Sequence, residues 1–230
     1  MKKIIAAAAA FVLAGFAFAQ SFSIDVGVKV EDELNIFDFK NGDFDDGVDY
    51  LLPYPGFGID AFASIGLPIE GLAIQPEVGF HIHQIGYEPK NGDSDDTRTH
   101  YMTLDIPVLV TYKININDIF FIRPEVGPRF SFVLGKFYDK DWDEINMDVN
   151  RPFNVGIAAG VSFGFNVGPG AIIIDLRYNR DFTKIECEDE VTSIDEVGNS
   201  RSIVQKWTID RDIGSAQSIQ IGVGYAFKIM

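Results

Sequence analysis

The feature that most limits what this chain can become is a hydrophobic alternation of period two, sustained far longer than in ordinary strands. It begins with Phe22, Ile24, Val26, Val28 and Val30 on one face, against Ser23, Asp25, Gly27 and Lys29 on the other. The same pattern returns seven more times. The apolar sets run through Phe57–Leu67, Leu72–Ile82, Met102–Ile114, Phe120–Phe132, Phe153–Phe165, Ile172–Tyr178 and Ile219–Ile229. Only a β-strand places alternate residues on opposite faces. These runs span about seven to fourteen residues, while strands of soluble domains cluster near five or six. A tilted strand that crosses a bilayer needs about nine to eleven.

The connections alternate as well. Residues 68–71, 115–118 and 168–170 are short, with Gly, Pro, Asn and Asp in turn-forming order. Segments 31–50, 88–98, 136–151 and 183–214 are long and acidic, and together they account for the whole net charge of −15. The rest of the chain is neutral. An acidic surface of this kind excludes nucleic acid as a partner.

The first nineteen residues read as a cleavable signal peptide. Lys2 and Lys3 precede an apolar stretch that ends in Ala17-Phe18-Ala19, so the mature domain is expected to span residues 20–230. No later stretch approaches the roughly 18 consecutive apolar residues of a spanning helix. Cys187 is the only cysteine, so no intrachain disulfide can form. Its neighbours Glu186, Glu188 and Asp189 disfavour the thiolate and hence a reactive role.

An all-β chain with an even number of long antiparallel strands, tight turns at one end and long loops at the other, matches the plan of an eight-stranded up-and-down transmembrane barrel in a bacterial outer membrane. In lipid every backbone donor and acceptor must be satisfied internally, so strands cross only as a closed barrel with an apolar outer face. The apolar faces carry no charge before Arg180, and Phe57, Tyr112, Phe120, Phe153, Phe165, Tyr178, Tyr225 and Phe227 sit near strand ends. A soluble calyx would need the inverse arrangement, with an apolar interior and a charged exterior. The polar faces here are instead rich in Gly, Ser, Asn and Thr, which suit a narrow lumen.

Two stretches resemble a known family. Leu104-Asp105-Ile106-Pro107-Val108-Leu109-Val110-Thr111-Tyr112, and after the next turn Glu125-Val126-Gly127-Pro128, are similar to the small outer-membrane β-barrel domain often labelled porin family protein. The resemblance implies an eight-stranded barrel of the OmpA, OmpX and opacity type, without implying an open pore.

The polar faces carry Asp60, Glu77, His81, Asp105, Arg123, Glu125, Arg129, Asp175 and Arg177, beside Asp25, Lys29 and Lys113. Counting from the tight turns places Asp60, His81, Asp105 and Arg129 at similar heights, so an ionic network is expected in the lumen, since buried charges persist only when paired. Such a network acts as a plug or, alternatively, as a gate on a narrow ion path. His81 and His83 near the outer rim admit an enzyme reading, but so narrow a lumen leaves little room for a substrate cleft, and no catalytic residue is expected. No cofactor is expected. The loop clusters around Asp43 and Asp45, and around Asp139, Asp141 and Asp143, are weak Ca²⁺ candidates that lack the Gly and Glu positions of an EF-hand. The expected role is structural or adhesive, with membrane lipid around the barrel and an extracellular ligand or host surface at the loops. The alternative is a small-solute channel.

Overall fold

The computed structural model describes residues 23–36, 48–52, 55–89, 97–138, 144–145, 147–149, 152–183, 186–194, 200–208 and 217–229. The signal-peptide segment 1–19 and the Ca²⁺ candidates Asp43, Asp45, Asp139, Asp141 and Asp143 lie outside the described residues. Eight long strands form the wall: β1 (Ile24–Ile36), β2 (Pro55–Gly66), β3 (Leu72–Pro89), β4 (Thr97–Tyr112), β5 (Phe120–Tyr138), β6 (Phe153–Val167), β7 (Gly170–Asp181) and β8 (Gln217–Lys228). Each pairs antiparallel with the next. β8 returns to pair with β1 over twelve positions, from Asp25 opposite Lys228 to Ile36 opposite Gln217, and closes the ring. The fold is therefore the eight-stranded up-and-down barrel that the alternation predicts. Among the described residues no helix is long and apolar enough to cross a membrane; the strands are the spanning elements.

The three short connections lie at one end. Gly71 and Gly168 adopt φ of 80° and 59°, a region that penalises any residue with a Cβ. In the middle turn Asn117 accepts hydrogen bonds at Oδ1 from the backbone N–H groups of Ile119 (2.9 Å) and Phe120 (2.8 Å). That side chain satisfies donors the tight turn would otherwise strand. Prolines interrupt the ladder in a staggered line. Cross-strand pairs are missing around Pro76 between β2 and β3, Pro107 between β3 and β4, and Pro128 between β4 and β5. Each proline lacks the N–H that its place in a central strand would use.

Two boundaries differ from the sequence reading. The acidic segment from residue 31 is not wholly a loop, because β1 continues to Ile36. Glu31 and Glu33 consequently point into the lumen, and Asp32 stands on the outer face. The outer face therefore carries a charge before Arg180. Asp32 lies opposite Phe57 and Ile221, toward the loop end, so it marks the upper limit of the apolar band and does not break it. Segment 183–214 also holds two paired strands, Glu186–Ile194 and Ser200–Thr208, and the first pairs with Met147–Val149. Cys187 belongs to that three-stranded sheet, in register with Trp207 and Val149.

The outer face is a belt of exposed apolar side chains, including Val28, Ile59, Val78, Val126, Ile174, Leu176 and Val223. Aromatic rings edge it on both sides. Phe120 packs on Phe165 (5.1 Å between centroids) and Tyr225 on Phe227 (4.6 Å) at the turn end, and Phe132 packs on Phe153 (4.8 Å) at the loop end. Two such rings of amphipathic or aromatic side chains are what the two membrane–water interfaces favour. Ile174, opposite Phe163 and Val223 in mid-belt, provides a test. Ile174→Arg should lower unfolding stability in lipid vesicles by about 2–4 kcal/mol, measured by denaturant titration.

Candidate functional site

The lumen is built in layers from residues of even spacing along each strand. At the turn end Phe62, Phe121, Ala171, Ile173 and Ala226 make an apolar floor. The Phe121 ring lies over Gly164, where a Cβ would overlap it. This explains why so many inward positions are glycine: a narrow barrel admits a large ring only where the facing residue has no side chain.

Above the floor is a charged layer supplied by the odd-numbered strands. Lys29 on β1 places Nζ 2.7 Å from Glu31 Oε1, 3.0 Å from Glu77 Oε2 and 3.0 Å from Asp175 Oδ2. Arg177 on β7 donates to Glu77 on β3 (2.8 and 3.1 Å), to Glu125 on β5 (2.6 and 2.9 Å) and to Asp175 on its own strand (2.9 Å). β3 and β7 lie on opposite sides of an eight-stranded ring, so the Arg177–Glu77 pair spans the lumen. Gln75 donates to Glu77 (2.7 Å), and Ser162 Oγ lies 3.0 Å from Glu125 Oε2. Arg123 meets this layer through Ser162, at 3.5 Å.

A second layer lies toward the loops. His81 Nε2 is 3.2 Å from Asp60 Oδ1 and 3.9 Å from Asp105 Oδ2. Arg129 donates to Asp105 (2.6 Å) and to Asp181 (3.0 Å). Glu33 Oε2 lies 3.5 Å from His81 Nδ1 and 3.6 Å from His83 Nδ1, and accepts a hydrogen bond from Gln220 (3.2 Å). His83 Nε2 bonds Thr103 Oγ1 at 2.8 Å, and its ring stacks on Tyr101 with centroids 4.8 Å apart.

Of the lumen residues named from sequence, the structure thus groups Glu77, Glu125, Asp175 and Arg177 in the lower layer and Asp60, His81, Asp105 and Arg129 in the upper, with Arg123 at the edge of the lower one. Lys29 is central to the lower layer. Lys113 is only half-buried, near the turn end, with its ammonium 4.1 Å from the Phe121 ring centre. Sequence reasoning missed Glu31, Glu33 and Asp181. The signal that could have found the first two was parity: they continue the inward register of Asp25, Gly27 and Lys29.

Chemically, this interior is a network of buried ion pairs and hydrogen bonds. Among the described residues it buries eight carboxylates, Glu31, Glu33, Asp60, Glu77, Asp105, Glu125, Asp175 and Asp181, against Lys29, Arg123, Arg129 and Arg177.

The fold, its apolar belt and its polar lumen define an integral protein of the bacterial outer membrane that crosses with strands. The outer membrane protein beta-barrel domain matches residues 18–186, and the chain belongs to that family. The match stops before β8, whose place is set by its ladders to β1 and β7. Among solved structures, the chain is similar to the outer membrane protein OprG from Pseudomonas aeruginosa, at 12% identity over 90% of this chain and 95% of that one, with a TM-score of 0.51. It is also similar to a major outer membrane protein from Thermus thermophilus, at 14% identity over 89% and 99%, with a TM-score of 0.50. At these identities the likeness concerns the fold. No curated protein matches the chain in sequence.

Arg129 holds two buried carboxylates, whereas Arg123 touches a hydroxyl at the limit of hydrogen-bond distance. Arg129→Leu should therefore cost about 3–5 kcal/mol of stability in micelles, because it strands Asp105 and Asp181. Arg123→Leu should cost clearly less in the same denaturant titration.

Proposed function

We propose that this protein is a closed structural barrel whose role is to present its acidic connections at the cell surface, where they meet an extracellular ligand or host surface. The observation that carries this reading is the Arg177–Glu77 bridge across the lumen, at 2.8 Å, above a floor closed by Phe62 and Phe121. Groups that bond from opposite walls leave no continuous water path in so narrow a barrel. The network thus serves as a plug that holds the wall closed and fixes register. Long connections on a rigid scaffold are the usual place for binding, and their net negative charge favours cationic partners. No catalytic role is assigned to the lumen. Residues 1–19 direct export and are removed, which leaves a mature chain from Gln20.

The test is conductance in planar bilayers. The purified barrel should give a quiet baseline, and replacement of residues 37–50 or 184–214 by short turns, which spares the wall strands, should abolish surface attachment while the barrel still folds. A steady open conductance would replace this reading with the small-solute channel. Attachment that survives loss of the parts of all four acidic segments that lie between the wall strands would remove the adhesive role.

A further inference from the structure

The buried charges in the lumen do not balance. Eight carboxylates face four Lys and Arg residues, and the surplus concentrates in the upper layer, where Arg129 pairs with Asp105 and Asp181 while, among the described residues, Glu33 and Asp60 meet histidines and no Lys or Arg. Buried charge of one sign persists only when something of the other sign accompanies it. At the junction of the two layers, Glu31 from β1, Asp60 from β2 and His81 from β3 each offer a ligand atom, and these atoms lie within 4.8 Å of one another. All three residues are about 2% exposed.

Both carboxylates keep an oxygen free for a ligand. Glu31 Oε2 and Asp60 Oδ2 have no hydrogen-bond partner, although each is buried, and His81 Nε2 lies 3.2 Å from the other Asp60 oxygen, Oδ1. Glu31 Oε1 meets Lys29 at 2.7 Å as an ion pair without hydrogen-bond alignment. An unsatisfied buried carboxylate oxygen is costly, and two carboxylates of one buried cluster that each carry such an oxygen beside an imidazole call for a shared partner. The backbone also makes room there. Gly58 lies opposite His81 and Gly79 opposite Asp60; a Cβ at the first would overlap the His81 ring, and at the second the Asp60 carboxylate. Both ligands can therefore lie flat against the facing strand and reach inward.

We propose that Glu31, Asp60 and His81 form a binding site for one divalent first-row transition-metal ion inside the barrel. One imidazole and two carboxylates suit Zn²⁺, Fe²⁺, Co²⁺ or Ni²⁺, whereas Ca²⁺ and Mg²⁺ prefer oxygen donors alone. His81 Nε2 faces Asp60 and is the ligating nitrogen. Nδ1 faces Glu33 Oε2 at 3.5 Å, the arrangement in which an outer carboxylate orients a metal-bound histidine. Bonds of about 2.0–2.2 Å require the three ligand atoms to draw together by about 1 Å, a side-chain adjustment that needs no movement of the wall. Water completes the coordination. The ion removes two units of the negative surplus and ties β1, β2 and β3 together at the height where the upper layer is least balanced.

The experiment uses the full mature chain, folded in detergent micelles and stripped with chelator, titrated with Zn²⁺ by calorimetry and with Co²⁺ by visible absorption. The expected result is one ion per barrel at micromolar affinity or tighter, with Asp60→Asn and His81→Asn each weakening it at least tenfold while the folded, heat-modifiable band is retained. Absence of uptake by the wild type overturns the proposal. Affinity unchanged in both variants overturns it too, and assigns the ion to the acidic connections. Should either variant fail to fold, X-ray absorption of the Zn²⁺-loaded wild type decides: imidazole scattering beside oxygen donors supports the site, and an all-oxygen shell refutes it. These outcomes are independent of conductance, so the site and the closed-barrel reading stand or fall separately.

Discussion

A bilayer core offers no hydrogen bonds to a polypeptide backbone, and everything else in this molecule follows from meeting that condition with strands. An open sheet would leave two unpaired edges in hydrocarbon. Here β1 and β8 pair over twelve positions, and the edges disappear. Closure separates the side chains into two environments. One face must be apolar over the thickness of the membrane, and the other encloses the lumen. The period-two alternation is the sequence image of that separation.

The enclosed face could have been apolar, as the floor of Phe62, Phe121 and Ile173 demonstrates. Most of it is instead polar or charged. Lys29 and Arg177 each bond carboxylates from several strands, and the contacts cross the barrel as well as following it. Breaking one member leaves others stranded in a medium that cannot solvate them. The interior therefore favours one register over its neighbours, because a slip of one residue would turn every one of these groups toward lipid. The same crowding of charge that fixes register leaves the upper layer short of cations, and the Glu31–Asp60–His81 site answers that shortage.

The wall was readable from sequence because it depends on parity alone. Tight turns at 68–71, 115–118 and 168–170 anchor the count, so the inward set on β2 to β7 and the shared height of Asp60, His81, Asp105 and Arg129 follow from counting residues. Composition misled where strands outrun the membrane. Glu31, Asp32 and Glu33 look like the opening of a loop because charged residues usually are, yet β1 carries them within the ladder. Asp181, at the end of β7, was lost for the same reason. Contacts across the lumen were out of reach for a different reason. Whether Arg177 meets Glu77 depends on the stagger between opposite walls, which no local pattern encodes. The grouping of Glu31 with Asp60 and His81 likewise needs three strands in register before it exists.

Centrally, the two opposite walls are joined by buried ionic contact and do not merely enclose a space. A double-mutant cycle on Arg177→Met and Glu77→Gln, followed by denaturant unfolding in lipid vesicles, measures that contact directly. Joined walls predict a coupling energy of about 1–3 kcal/mol. A coupling near zero, with each single variant as stable as the wild type, would mean that Arg177 and Glu77 do not meet and that the lumen is held shut by something else or not at all.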